Sequence, residues 1–246
     1  MSFAGQTAVV TGGTRGLGRA ITLDLLEQGA RVHATYQSNE EAARAFADHA
    51  APFGERLQLA RFDVADYAAV ESFWRGLDEQ CPDGVQVLVN NSGIRRDGVL
   101  AMLPPADWER VIATNLSGTY HMCKFAVLHM LRRRYGRIVI VTSPARTAGF
   151  AGQANYAASK AGQVGLMRSL AREVGKRGIT VNCVSPGFVD TDLLADLSPE
   201  QKREHLASVP LGRFAEPREV AFAVRCLAAR DASYITGATL EVAGGL

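Results

Sequence analysis

Hydrophobic positions fall along the chain in short blocks that alternate between two periods. Thr7 to Thr11 is a compact run rich in β-formers, followed at once by glycines and then by Leu17, Ala20, Ile21 and Leu25 at helical spacing. The pattern predicts a strand, a tight turn and a helix. It then repeats, with strands expected at 31–36, 57–62, 85–90, 137–142, 179–184 and 238–242, and helices at about 40–50, 66–79, 105–133, 155–176 and 217–228. Strands that read as near-continuous Val, Ile and Leu are buried on both faces, as in a parallel sheet with helices on each side. The expected fold is doubly wound α/β, a seven-stranded parallel sheet in a three-layer αβα sandwich. No Pro/Ser-rich linker, repeat or low-complexity tract divides the chain, so one domain over 1–246 is expected. The acidic, Pro-containing segment at about 188–216 breaks the alternation and suits an excursion over the ligand crevice at the carboxyl end of such a sheet.

Composition narrows the function without changing that outline. Of 246 residues, 47% are hydrophobic and 21% charged, as in an ordinary globular chain. Neither a secretory leader nor a run of about 18 apolar residues occurs, so the cytoplasm is the expected location and no membrane partner is expected. Lys plus Arg is 27 against 25 acidic residues, and a balance of +2 gives no general pull toward nucleic acid. Only Lys124, Lys160, Lys176 and Lys202 among those cations are lysines, which makes a lysine at a chemical position informative. Cys81, Cys123, Cys183 and Cys226 form neither a CxxC pair nor a compact disulfide framework and read as buried small hydrophobes. The histidines are scattered, and no metal site is expected.

Two segments carry chemistry. Thr11-Gly12-Gly13-Thr14-Arg15-Gly16-Leu17-Gly18 links a strand to a helix, where glycines allow close backbone approach and the helix amino terminus offers unpaired N–H donors to a phosphate. Alone, it also fits a plain turn. After the second strand, Tyr36-Gln37-Ser38-Asn39 lacks the acid that would bind an adenosine ribose 2′-hydroxyl, and Arg15 stands ready for a 2′-phosphate, so NADP(H) is favoured over NAD(H). Glu40 and Glu41, in the first turn of the next helix, weigh against this. The second segment is Tyr156-Ala-Ala-Ser-Lys160, which places a phenol and an ammonium on one helical face about 6 Å apart. A phenol ionises near pH 10. An ammonium about 4 Å away would favour phenolate by at most about 4 kcal/mol before desolvation opposes it. Ser143 ends a buried strand 13 residues upstream.

The Thr-Gly-xxx-Gly-x-Gly spacing departs from the common GxGxxG fingerprint and resembles the short-chain dehydrogenase/reductase family, whose fold is Rossmann-like. Asn90-Asn91-Ser92-Gly93 is similar to the family's Asn-Asn-Ala-Gly turn, and Asp63-Val64 to its adenine-contacting pair. Asn115, Ser143, Tyr156 and Lys160 match its catalytic tetrad. The resemblance implies that Tyr156 protonates a developing alkoxide, Ser143 polarises the carbonyl, Lys160 holds the nicotinamide ribose and tunes Tyr156, and Asn115 holds a water leading from Lys160 to solvent. It also implies that Pro186, Gly187, the backbone of Val189 and the side chain of Thr191 contact the carboxamide end of nicotinamide.

Within the family the chain is most similar to 3-oxoacyl-(acyl-carrier-protein) reductases, on stretches such as Gly152-Gln-Ala-Asn-Tyr-Ala157 and Arg177-Gly-Ile-Thr-Val-Asn182. This implies NADPH-dependent reduction of a β-ketoacyl thioester in fatty-acid or polyketide-like chain building, a homotetramer or dimer, and an acidic acyl carrier protein bound by Arg134 and Arg177. These arginines equally suit the carboxyl ends of their helices as solubilising charges. Other carbonyls, such as an acyl-CoA, a free polyketide, a steroid or a sugar, stay open, as does a noncatalytic NADP-binding subunit. Pro144-Ala-Arg146-Thr147 and Ala243 depart from the family pattern, and Arg146 is expected to add charge near the substrate entrance.

Overall fold

A computed structural model describes residues 2–191 and 198–246. Seven parallel strands form one sheet: β1 (Thr7–Val10), β2 (Arg31–Tyr36), β3 (Leu57–Arg61), β4 (Val87–Asn90), β5 (Gly136–Val141), β6 (Ile179–Pro186) and β7 (Thr239–Val242), in the order β3-β2-β1-β4-β5-β6-β7. Alternate residues of a strand face opposite layers. Val139 and Val141 pack under α1 (Gly16–Glu27) and α9 (Pro217–Ala228), against Ile21, Leu25, Val220 and Val224. Ile138 and Ile140 pack against Trp74 of α3 (Tyr67–Gln80), Met122 of α5 (Gly118–Arg133) and Met167 of α7 (Ala154–Val174). The three-layer, doubly wound expectation holds. No helix among the described residues is long and apolar enough to cross a membrane.

Three local readings need correction. The single helix expected over 105–133 is α4 (Pro105–Ile112), a π turn at Ala113–Ser117, and α5. Inside that turn the Asn115 carbonyl accepts from Thr119 Oγ1 at 2.6 Å and Gln163 Nε2 at 2.8 Å, and these side-chain bonds compete with the regular helical ladder. The excursion at 188–216 contains a helix, α8 (Pro199–Ala207), started by a capping box between Ser198 and Gln201. A parallel bridge between Val189 and Ala215 ties its two ends, and residues 192–197 lie outside the described residues. Of the cysteines, all free, Cys123 and Cys183 are buried, whereas Cys81 and Cys226 are only partly covered. The remaining α-helices among the described residues are α2 (Glu40–His49), which covers the β2–β3 side with Phe46, and the one-turn α6 (Ala145–Ala148).

Candidate active site

Because all strands run the same way, Thr11, Tyr36, Asn90, Val141 and Pro186 reach one edge of the sheet. β1 lies between β2 and β4, so the chain leaves this point toward both sides and opens a crevice there. The glycine loop occupies it. Gly13 N–H donates to Thr35 O at 2.9 Å, and a Cβ at Gly18 would lie 2.0 Å from Gly12 O, so only glycine allows the loop to close on α1. Arg15, exposed, precedes α1 without a side-chain cap, leaving the helix's first N–H groups free for an anion. Thr14 is buried beneath the loop and Leu17 partly so.

The turn after β4 is tied to that loop. Asn91 Nδ2 donates to Thr11 O at 3.0 Å and Gly12 O at 3.2 Å, while Thr11 Oγ1 accepts from the N–H groups of Asn91 and Ser92 at 2.9 Å. Thr11 and Asn91 therefore belong to the framework, although sequence reasoning singled out their neighbours. Asn90 turns the other way and donates to Cys123 Sγ at 3.3 Å in the core. From the far side, Thr191 comes within 4.0 Å of where a Gly16 Cβ would be, which brings the segment containing Pro186, Gly187 and Val189 over the crevice. Gly187 is held by its N–H to Val242 O at 3.0 Å.

At the ends of β2 and β3 lies a polar network. Asp63 Oδ2 accepts from Gln37 Nε2 and from Arg110 Nη2, both at 2.9 Å, and Asp63 Oδ1 accepts from Ala65 N–H at 2.9 Å. The Val64 carbonyl bonds His121 Nδ1 at 2.9 Å. Ser38 is exposed beside Gln37. Arg61, which sequence reasoning passed over, donates to Gln37 O at 3.2 Å and pairs with Glu40. The acid that weighed against a 2′-phosphate is thus covered by a cation from the neighbouring strand.

The structure brings the tetrad together. Thr142 Oγ1 donates to Lys160 O at 3.0 Å, fixing α7 against the end of β5. The Tyr156 phenol faces the Ser143 side chain, and Lys160 Nζ lies 5.5 Å from the Tyr156 ring centroid. Lys160, only 3% exposed, donates to Val141 O at 2.8 Å. A Cβ on Gly93 would sit 3.4 Å from Asn115 Oδ1 and 3.5 Å from Lys160 Nζ, so Asn115 and Lys160 meet at the turn after β4.

The electrostatics at Tyr156 differ from the expectation. Burial holds the Tyr156 phenol above its ordinary value, opposed by the Ser143 hydrogen bond and Arg95, with Asp97 adding to the rise. The expected depression by Lys160 is absent because that ammonium is turned to the Val141 carbonyl and is itself pushed down by burial to about 8. Asn115 is fully buried; its Nδ2 donates to Ile94 O at 3.0 Å and Ser159 Oγ at 3.1 Å, and Oδ1 accepts from Ile94 N–H at 2.8 Å. With both amide donors spent on protein, the side chain clamps the turn after β4. Arg146 is not an entrance charge either: its side chain is 11% exposed and pairs with Glu241.

Arg134 and Arg177 stand elsewhere. Arg134 follows α5 in a left-handed conformation, φ 51°, and its guanidinium donates to Lys176 O at 3.3 Å, so the two arginine segments meet beside the starts of β5 and β6. Among the described residues neither arginine has a carboxylate within ion-pair distance, whereas Arg132 and Arg133 are paired to Asp78 and Asp83. A six-residue strand separates this patch from Ser143, about 20 Å.

Comparison with known proteins agrees with this geometry. The family described as Enoyl-(Acyl carrier protein) reductase matches residues 12–246. A 3-oxoacyl-(acyl-carrier-protein) reductase of Salmonella typhimurium is 46% identical over 246 residues, covering 100% of this chain and 99% of the relative. One from Escherichia coli is 45% identical with the same coverage, and one from Chlamydia pneumoniae 40% identical over 247 residues, covering 100% of this chain and 98% of the relative. The crystal structure of a candidate gluconate dehydrogenase from Agrobacterium tumefaciens superposes with a TM-score of 0.95 at 32% identity, covering 99% of this chain and 96% of that one. With whole-length relatives at this identity and the tetrad gathered at the switch point of its sheet, the chain belongs to the short-chain dehydrogenase/reductase family.

Proposed function

We propose that the protein reduces a β-ketoacyl thioester, carried by an acyl carrier protein, to the β-hydroxyacyl thioester with NADPH. The observation that carries this reading is the gathering of Tyr156, Ser143 and Lys160 at the glycine-loop crevice, with the Lys160 ammonium 5.5 Å from the Tyr156 ring centroid and Ser143 facing the phenol. Burial keeps the Tyr156 phenol protonated at neutral pH, which suits a proton donor. The names of the full-length relatives support the substrate class.

The crevice fits a dinucleotide: the uncapped start of α1 and glycines 12, 13, 16 and 18 suit a pyrophosphate, Asp63 and Val64 an adenine, and Arg15, Gln37 and Ser38 a 2′-phosphate. When bound, the nicotinamide supplies the hydride that adds to the carbonyl carbon. Ser143 Oγ orients the carbonyl oxygen and Tyr156 gives it a proton, so that C=O becomes CH–OH. Lys160 holds the ribose and, through its charge, steadies the phenolate left when Tyr156 gives up its proton. Asn115 holds the turn that carries Gly93 and Ile94.

Loss of absorbance at 340 nm with NADPH and an acetoacetyl thioester tests the proposal. Turnover by the wild type and its loss in Tyr156→Phe are expected. A wild type that binds NADPH yet leaves every ketone and thioester unreduced would be a noncatalytic module. Faster turnover of a crotonyl than an acetoacetyl thioester would favour the enoyl chemistry in the matched family's description.

A further inference from the structure

We propose that Arg146 is a positioning residue that braces the catalytic strand end of Ser143 against β6 and β7, an inference that rests on the reductase reading. The Thr142 N–H donates to Val184 O at 2.8 Å and is the last rung between β5 and β6, so Ser143 stands one residue beyond the sheet. Its place depends on what holds its own backbone. Both donors recorded on the Ser143 carbonyl come from Arg146: the backbone N–H at 3.2 Å and Nη1 at 3.0 Å.

The guanidinium continues outward. Nη1 also donates to Ser185 Oγ at 2.6 Å, and Nη2 pairs with Glu241. Ser185 and Glu241 are direct partners in the β6–β7 register, and Ser185 is fully buried. One planar fork therefore joins the loop carrying Ser143 to the residue just before Pro186-Gly187, the segment proposed to meet the nicotinamide carboxamide. Lysine, a single flexible point donor, cannot reproduce a fork that reaches three acceptors. The brace fixes the separation of the carbonyl-orienting hydroxyl from the hydride side of the crevice, a distance to which rate is steeply sensitive.

The test compares wild type, Arg146→Ala and Arg146→Lys with acetoacetyl thioester, using NADPH and NADPH deuterated at the transferred position. In Arg146→Ala we expect kcat to fall about tenfold, both KM values to stay within about twofold, and the primary isotope effect to rise as the hydride step becomes limiting. Arg146→Lys should not recover kcat, and added methylguanidinium should restore part of it to Arg146→Ala alone. Hydrogen exchange should quicken in residues 142–149 and stay unchanged in α2. An unchanged kcat, or a rise confined to the thioester KM, overturns the brace while Tyr156→Phe still judges the reductase reading. Should the wild type be inert, unchanged exchange over 142–149 in Arg146→Ala overturns the brace by itself.

Discussion

At the amino-terminal edge of the sheet, Arg134, Lys176 and Arg177 surround the starts of β5 and β6 and are exposed to solvent. At the carboxyl-terminal edge of the same two strands, Lys160, Asn115 and Ser185 are buried. An exposed cation keeps its hydration and needs no partner, so its position is loosely set and its field is screened within about 8 Å at physiological salt. A buried polar group is tolerated only when its hydrogen bonds are made, which fixes its position. Lys160 is anchored to Val141 and Asn115 to Ile94 and Ser159, whereas Arg134 has one long bond to a backbone carbonyl. The edge able to hold reacting atoms in register is therefore the buried one, and the basic edge suits encounter with an acidic partner.

The sharpest way to break that contrast is at Tyr156. Removing the phenolic oxygen in Tyr156→Phe should lower kcat by about 10²- to 10⁴-fold, with NADPH binding, followed by fluorescence titration, changed by less than about threefold. Lys160→Met should abolish turnover and yet stabilise the fold. The folded-state value of Lys160, about 8, lies below that of a free lysine, so the unfolded chain holds the proton more tightly and wild-type stability rises as pH climbs from about 8 to about 10.5. Below that window the burial penalty is complete, about 3 kcal/mol, offset by about 1 kcal/mol for leaving the Val141 carbonyl unbonded in the variant. Urea titrations should show the variant's advantage at pH 7 and its decline toward pH 10.5; a constant difference across that range would mean that the buried charge is not the cause.

How much of this was legible in the sequence depends on the range of the interaction. The Tyr156–Lys160 pairing follows from one helical turn, and Ser143 from the end of an apolar run, so these positions were readable locally. The π turn at 113–117 depends on Gln163, 48 residues away from Asn115, and no local period announces it. The direction of Arg146 depends on Ser185 and Glu241, brought alongside only by the sheet order. Helix α8 is a different miss, because Ser198-Pro-Glu-Gln201 is a readable capping box in a segment too polar to show a core-facing stripe. The NADP(H) expectation noticed Glu40 but not its partner, since Arg61 reaches it only through the β2–β3 register.

That last pair offers a smaller test of the buried edge's outskirts. If Arg61 neutralises Glu40 beside Gln37, Arg61→Ala should lower the ratio of kcat/KM for NADPH over NADH by about tenfold, the effect of roughly 1.4 kcal/mol. Adding Glu40→Gln should restore most of it. A ratio that stays low in the double variant would make Arg61 a direct phosphate ligand instead of a shield.

The smallest effect belongs to the basic edge. Arg134→Glu or Arg177→Glu should raise KM for a carrier-bound β-ketoacyl substrate by about three- to tenfold, more at low salt than at high salt, and leave KM for a small acetoacetyl thioester unchanged. Neither side chain is buried, so folding stability should stay within about 0.5 kcal/mol. Since about 20 Å of strand separates these arginines from Ser143, a positive result requires an acyl arm that bridges the two edges or a site on a second copy of the chain. Mixing an Arg177→Glu chain with a Tyr156→Phe chain separates the two, because activity with carrier-bound substrate recovers on mixing only if one copy docks the carrier for another's active site.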